Sequence, residues 1–361
     1  MSVEFDSARR RFVRDAAAAL TTGRLALLSA MIPQAGCTSP GAQRSMPSLA
    51  GATGWLNSPP LTAEGLRGKV VLVQFCTFTC INWLRTLPYV RAWAAKYGPH
   101  GLVVLGVHTP EFAFEKDPAN VRPALAAMGV RYPVALDPGY AVWGAFQNSY
   151  WPALYLADAE GRIRYHHFGE GEYEETERRI QALLDEAGAT GVDRGLVRVE
   201  ARGVELGADW DNLRTAETYL GYARAQGFAS PERLLADQRR DYTVPARLWP
   251  GQWAYAGPWT VGKQGSILEQ AGGRIACRFH ARDLHLVMGA ARPGERVRFR
   301  VRVDGQPPGP AHGPDADAQG GGVAAERRLY ALVRQPGPVA ERRFEIEFLD
   351  AGAEAFAFTF G

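Results

Sequence analysis

KVVLVQFCTFTCINW, residues Lys69–Trp83, decides how the chain is read. Its first half is a continuous apolar run of strand length, and its second half brings Cys80 to the start of a helical pattern. INWLRTLPYVRAWAAKYG, Ile81 to Gly98, has apolar residues at helical spacing and closes on a glycine suited to a C-cap. A second apolar run, LVVLGVH at Leu102–His108, follows at once. Strand, helix and strand in this order predict a parallel pair joined by a crossover helix.

The alternation continues. Asp117-Pro118 opens a helix through Met128, with Gly129 ending it, and Tyr132–Leu136 is a short strand. Ala153–Ala157 and Arg162–Phe168 form a hairpin around DAEG, and Tyr173–Glu186 is a helix charged along one face. These elements predict an α/β domain with a central mixed sheet and helices on both faces, over residues 46–190. From about Gly191 the texture changes. Glu217–Gln226 has the pattern of a short helix, but after Pro245 the chain is short strands and Gly/Pro turns. RIACRFHARDLHLVM, RVRFRVRVDG and RRFEIEFLD alternate with period two, so residues 191–361 read as a connecting segment and an all-β sandwich. PPGPAHGPDADAQGGG, Pro307–Gly322, reads as a long flexible loop.

The chemistry concentrates on Cys80. At a helix's first turn, unpaired backbone N–H groups and the helix dipole stabilise a thiolate, so a lowered thiol pKa is expected. Thr77, Thr79 and Asn82 are candidate hydrogen-bonding neighbours. Parallel strands end on one side, so His108 and Glu111 in HTPEFAFE are acid/base candidates, with a plain surface-loop role as the alternative. Pro152 stands immediately before a strand, where its missing donor is not needed. A cis Trp151–Pro152 bond would leave exposed backbone able to pair with a substrate peptide.

GKVVLVQF, CINW, LPYVRAW, LVVLGVHTPEFAFE, YWPALYLAD and HHFGEGEYE together resemble the redoxin branch of the thioredoxin superfamily. Within it they resemble the soluble portion of DipZ-type thiol–disulfide proteins. The resemblance extends through ETYLGYA, GGRIACRFHARDLHLVMG, RLYALVRQPGP and FEIEFLD. It implies a thioredoxin-like sheet, Cys80 as the attacking cysteine, Pro152 as a cis-proline, Pro88 as a kink in the active-site helix, and a carbohydrate-binding-module-like sandwich.

The pattern is broken in one place. Trp83 stands where the family's resolving cysteine is expected, and Cys76 where its usual tryptophan is. Four extended residues span about 13 Å, whereas a disulfide needs Cα atoms within about 7 Å. Cys76 is therefore a resolver only if the chain turns sharply, and otherwise a small buried hydrophobe. A lone thiolate attacks a disulfide and then depends on an external thiol, membrane-bound or soluble, for release. It also attacks peroxides; Thr77–Cys80 has the T-x-x-C form of a peroxiredoxin site, though Val73 stands where that site has proline. The expectation is a thiol–disulfide oxidoreductase with one nucleophilic cysteine. Trp83, Trp151 and Pro152 would join Thr77 and Asn82 around its substrate, a protein disulfide, small thiol or peroxide. The alternatives are a one-cysteine peroxidase and a redox-inactive binding protein.

The remaining features bear on address and ligands. Arg9-Arg10 followed by Phe12-Val13 resembles a twin-arginine export motif, and the apolar stretch Ala16–Met31 follows it. Residues 1–45 thus read as an export signal and linker to the periplasm; Asp15 and Arg24 are atypical of such a signal, and the alternative is an amphipathic or disordered N-terminus of a cytosolic protein. QAGC faintly resembles a lipoprotein box at Cys37, against which Gln34 argues. A net charge of +3 over 361 residues, with dispersed arginines, argues against nucleic acid. Trp249, Trp253, Tyr255 and Trp259 either stack on a glycan or cover the sandwich core. Asp315, Asp317, Gln319 and Glu326 follow calcium-loop spacing, or else form a solvated acidic loop; no other cofactor is suggested. Cys277 alternates with Ile275 and Phe279 and reads as core.

Overall fold

Residues 44–361 are described by the computed structural model. The twin-arginine motif, the apolar stretch after it and Cys37 lie outside the described residues. No helix among the described residues is long and apolar enough to cross a membrane.

The first sheet comprises β1 (Gly54–Leu56), β2 (Val70–Cys76), β3 (Leu102–His108), β4 (Val134–Leu136), β5 (Ala153–Ala157) and β6 (Ile163–Phe168). They lie in the order β1-β4-β3-β2-β5-β6. β3 runs parallel to β2 and to β4, while β5 is antiparallel to β2 and β6 antiparallel to β5. β2 is central and buried on both faces, which explains its unbroken apolar run. Val70, Leu72 and Cys76 face one core, and Val71, Val73 and Phe75 face the other. Gln74, with Cys76 on the even-numbered side, is the one polar residue in the run. Four helices complete this half: α1 (Ile81–Tyr97), α2 (Pro118–Ala127), α3 (Ala141–Ala145) and α4 (Tyr173–Glu186).

α1 buries Leu84, Leu87, Val90 and Trp93, each contributing about 1.5–3 kcal/mol by leaving water. Pro88 lies inside α1, so Leu84's carbonyl lacks its usual helical donor. Gly98 is the C-cap of α1, as the sequence suggests, though not in a left-handed turn. Its φ is −52°, a 3-10 turn continues through His100, and the reversal falls at Gly101 with φ of 102°. Asp117 caps α2 by accepting from the Ala119 amide at 2.8 Å, as the Asp-Pro start predicts.

The second half pairs its strands antiparallel, with two isolated parallel bridges onto Trp253 and Val261. Its long strand Trp253–Val261 pairs with Arg274–His280 along its first half, and with Ser266–Leu268 and Arg239–Tyr242 along its second. That strand joins two layers. One holds Gly321–Ala324, Val297–Val303, Glu341–Phe348 and Arg274–His280; the other holds Ser266–Leu268, Ala353–Phe360, Asp283–Ala290 and Arg328–Arg334. Side chains from both layers make one core, including Cys277.

Two expectations need correction, and one pair of alternatives is decided. Glu217–Gln226 is not a helix: Thr218–Tyr219 adds to strand Ala353–Phe360, so tertiary pairing overrides local propensity. Pro307–Gly322 is not a free loop. Gly309 N donates to Ala318 O, Gly313 N to Leu332 O, and a Cβ on Gly313 would lie 2.2 Å from Ala331 O. Of the four aromatics read either as a glycan platform or as core cover, Trp253, Tyr255 and Trp259 take the second role and are wholly buried in the core. Only Trp249 is on the surface, at 54% exposure, with Arg247 stacked on its ring.

The two halves pack against each other. Phe356 of the last strand enters the first core and meets Phe112 and Phe114. Arg85 of α1 donates to Glu170 at 2.9 Å and to the Phe360 carbonyl at 3.3 Å.

Candidate functional site

Cys80 is the N-cap residue of α1: its φ and ψ are extended, and its carbonyl accepts from Leu84 N to start the helix. The turn is set by Cys80 N donating to Thr77 O. Cys80 is half-buried, Cys76 and Cys277 are buried, and all three are free thiols. The Cys80 Sγ lies 3.8 Å from the Trp151 carbonyl, and the Trp151–Pro152 bond is cis. The Trp151 indole donates to the Thr109 carbonyl, which fixes this wall to the end of β3.

Trp83 is wholly buried, and its indole donates to Gln74 at 3.2 Å. The Gln74 amide in turn donates to Thr86. The position three residues after Cys80 is therefore filled by a ring pinned inside the core, not by a group facing substrate. Cys76, the other resolver candidate, donates to the Val107 carbonyl at 3.5 Å, and burial pushes its thiol well up. Thr77 is wholly buried, and the Thr79 hydroxyl bonds to Glu115. Asn82 contributes through its main-chain amide, which with that of Trp83 draws the Cys80 thiol down.

The expected low thiol pKa is not what the site provides. Burial pushes the Cys80 thiol well above the ordinary thiol range, and the charges of Glu111 and Glu217 add to the rise. The two amides oppose this without winning. Since solvent still reaches part of the residue, the carboxylates are the part of this balance that substitution can turn most cleanly. The signal missing from the sequence is distance: Glu217 lies 137 residues after Cys80 (217 − 80).

Glu111 is half-enclosed by residues from the second half of the chain. Arg224 and Tyr219 both donate to its Oε1, at 2.7 and 2.8 Å. Glu115, which the sequence does not single out, is the structural hub of the loop. It is wholly buried, takes the Thr79 amide and hydroxyl on one oxygen, and the Glu111 and Phe112 amides on the other. Burial pushes its carboxyl up, with the Glu111 charge adding to the rise, and hydrogen bonds that include those from the Phe112 amide and the Thr79 side chain hold it back. The flanking FAFEK pattern, an acid among aromatics, is the one local hint of its position.

His108 is buried, stacked on Phe78, and its Nε2 has no partner among the described residues. Burial lowers it to about 3, so it is neutral at working pH. It lines a cavity of about 240 Å³ with Glu115, Lys116 and Leu136. Because its folded pKa is depressed, the unfolded chain takes up the proton first. Stability should fall as pH drops below the unfolded value of about 6.5 and keep falling toward about 3. Comparing acid unfolding with His108→Gln should show the native chain losing about 1.4 kcal/mol more per pH unit between pH 5.5 and 4. Parallel curves would show that His108 does not titrate this way.

The calcium-spaced residues bond within their own loop and to the strand Arg328–Arg334 that follows it. Asp315 accepts from Arg328 and from Ala331 N, and Asp317 accepts from the amides of Gln319 and Gly321. Glu326 accepts from the Tyr330 hydroxyl through its main-chain carbonyl.

A central mixed sheet, a cysteine capping the helix after its first long strand and a cis-proline facing that cysteine define a thioredoxin-like protein. Comparison with known proteins narrows this. A family model described as "Thioredoxin like C-terminal domain" matches residues 215–361. Protein DipZ of Mycobacterium bovis is 35% identical over 321 residues, covering 87% of this chain and 42% of that protein. Thiol-disulfide oxidoreductase YkuV of Bacillus subtilis is 31% identical over 145 residues, covering 40% of this chain and 97% of that protein. A solved structure titled "Solution Structure of a Thioredoxin-like Protein in the Oxidized Form" is 31% identical, covering 40% of this chain and 97% of that one, with a TM-score of 0.37. The chain belongs to the thioredoxin-like thiol–disulfide oxidoreductase family, and it spans 42% of the length of the DipZ protein it matches.

Proposed function

We propose that the protein is a thiol–disulfide oxidoreductase that works through Cys80 alone and relies on an external thiol to complete each cycle. One observation carries this: the only half-exposed cysteine among the described residues caps α1 beside Trp151–Pro152, while the resolving position holds buried Trp83. The Cys80 thiolate attacks one sulfur of a substrate disulfide; a Cys80–substrate disulfide forms and the substrate's other sulfur leaves as a thiolate. An external thiolate then attacks the substrate sulfur, forming a new disulfide with it and returning the Cys80 thiolate. The raised thiol pKa shapes both steps. The thiolate is scarce at neutral pH, and Cys80 is a poor leaving group, so the mixed disulfide persists. The names of YkuV and of ResA from Bacillus thuringiensis, both thiol-disulfide oxidoreductases, support this reaction class. The twin-arginine-like motif supports an exported setting, where disulfide substrates occur. The boundaries 46–190 and 191–361 are proposed for the oxidoreductase half and for the connecting segment and sandwich.

The test is to mix the reduced protein with a disulfide-bonded peptide and follow mass without reductant. A one-to-one adduct at Cys80 should accumulate, clear only on addition of glutathione, and form about tenfold faster for each pH unit up to at least pH 9. An adduct that clears unaided, or a rate that is flat above pH 7, would remove the proposal.

A further inference from the structure

We infer that Arg224, supplied by the second half of the chain, is a positioning residue for Cys80: it holds the Glu111 carboxylate and so limits that charge's effect on the sulfur. The inference rests on the reading of Cys80 as the nucleophile and adds the other half of the protein to its site.

Two hydrogen-bonded paths bring Glu111 to the cysteine. Thr79, adjacent to Cys80, bonds through Glu115 to the Glu111 amide. On the other side Trp151, whose carbonyl faces Sγ, is tied to Thr109, two residues before Glu111. The second half then seals the Glu111 loop. Gln264 accepts from Ala113 N and donates to the Glu111 carbonyl, and Gly221 packs against Gln264 so closely that a Cβ would lie 2.3 Å from its backbone.

Within this contact one cation faces two carboxylates. Arg224 Nη1 lies 2.7 Å from Glu111 Oε1, with 9% of the Glu111 side chain exposed. The Arg224 guanidinium also lies over the Tyr219 ring at 3.2 Å. The Tyr219 hydroxyl reaches both Glu111 and Glu217; a phenol has one proton and donates to one of them at a time. Burial keeps that phenol protonated, with the two acids adding to the effect. The charges that act on Cys80 are Glu111 from the β3 loop and Glu217 from the second half; Tyr219 and Arg224 bond to Glu111, Tyr219 also to Glu217, and Glu115 lies beneath Thr79. Arg224 is the single cation among them. Glu111 is enclosed although Arg224 is 37% exposed, so the loss of Arg224 is felt at the sulfur through the Glu111 carboxylate it leaves unpaired by a cation.

The experiment follows site-specific alkylation of Cys80 in the full chain by mass spectrometry, from pH 7 to 10.5. Arg224→Gln should slow labelling about three- to tenfold at fixed pH, equivalent to a rise of half to one pKa unit, and Arg224→Lys should restore most of the rate. Glu111→Gln should speed labelling, and in that background Arg224→Gln should change the rate less than twofold. An unmoved or faster profile in Arg224→Gln, or the same slowing in the Glu111→Gln background, would overturn the inference. Alkylation does not require disulfide exchange. If this coupling appears while no peptide adduct forms, the exchange reading falls and the role of Arg224 stands.

Discussion

A cysteine introduced at position 83 should convert the protein from one that stops at a mixed disulfide into one that closes its own. Residue 80 is the N-cap of α1 and residue 83 is its third helical residue. Residues three apart on a helix share a face, with Cβ atoms roughly 5–6 Å apart, so a small adjustment of the first turn brings two sulfurs into bonding range. In Trp83→Cys the new thiolate would attack the Cys80 sulfur of the adduct, expel the substrate as a thiol and leave an 80–83 disulfide. Peptide release without glutathione should rise by at least a hundredfold, because an intramolecular thiol acts at high effective concentration. The change has a folding cost. Trp83 is wholly buried and its indole satisfies Gln74, so truncation should cost about 3–5 kcal/mol. Adding Cys76→Trp returns an indole to the same apolar cluster and should recover part of that loss. Mass analysis after a peptide challenge decides the matter: a persistent adduct in Trp83→Cys would show that position 83 cannot resolve Cys80. Release already occurring in the native chain and vanishing in Cys76→Ser would instead make Cys76 the resolver.

What the sequence discloses about this site and what it withholds divide along physical lines. β2, β3, α1 and α4 are legible because their burial is periodic: β2 is apolar on both faces, and α4 is apolar on one stripe. Cys80 is legible for a related reason, since a strand-to-helix turn needs no distant information. β1 and α3 are not foreseen. At three and five residues they are too short to show a period, and they exist because β4 and Asp137 bind them. The failure over Glu217–Gln226 has the same origin, a backbone recruited by strand Ala353–Phe360. The thiol pKa is the instructive miss. The local rule, amides at a helix start, operates as expected through Asn82 and Trp83. It is outweighed by the walls of a cleft and by acids on two other segments. Local rules predicted the stabilising groups; only the fold shows the opposing ones.

Arg85→Ala should lose about 3–5 kcal/mol of unfolding free energy, and the reason lies in what it leaves behind rather than in what it removes. Arg85 follows Cys80 by little more than one helical turn, is 2% exposed, and sits where α1 meets the second half of the chain. Its guanidinium serves Glu170 and the carbonyl of Phe360, so one side chain satisfies acceptors from both halves. Burial pushes the Glu170 carboxyl up and Arg85 pulls it down, with burial the larger effect. The pair as a whole thus gains little over uncharged packing, while Glu170 alone would be a buried charge with no partner. This asymmetry predicts a specific ordering. Arg85→Ala should be the least stable variant, and Arg85→Met with Glu170→Met should return to within about 1.5 kcal/mol of the native chain. Urea unfolding of the three proteins tests the ordering, and a double variant less stable than Arg85→Ala would mean the ion pair itself stabilises the junction. The same variants carry a second readout at the sulfur. If Arg85→Ala loosens the packing of the two halves around α1, Cys80 loses part of its burial, and its alkylation at pH 8 should become faster as stability falls. The double variant, with the junction repacked, should label at the native rate.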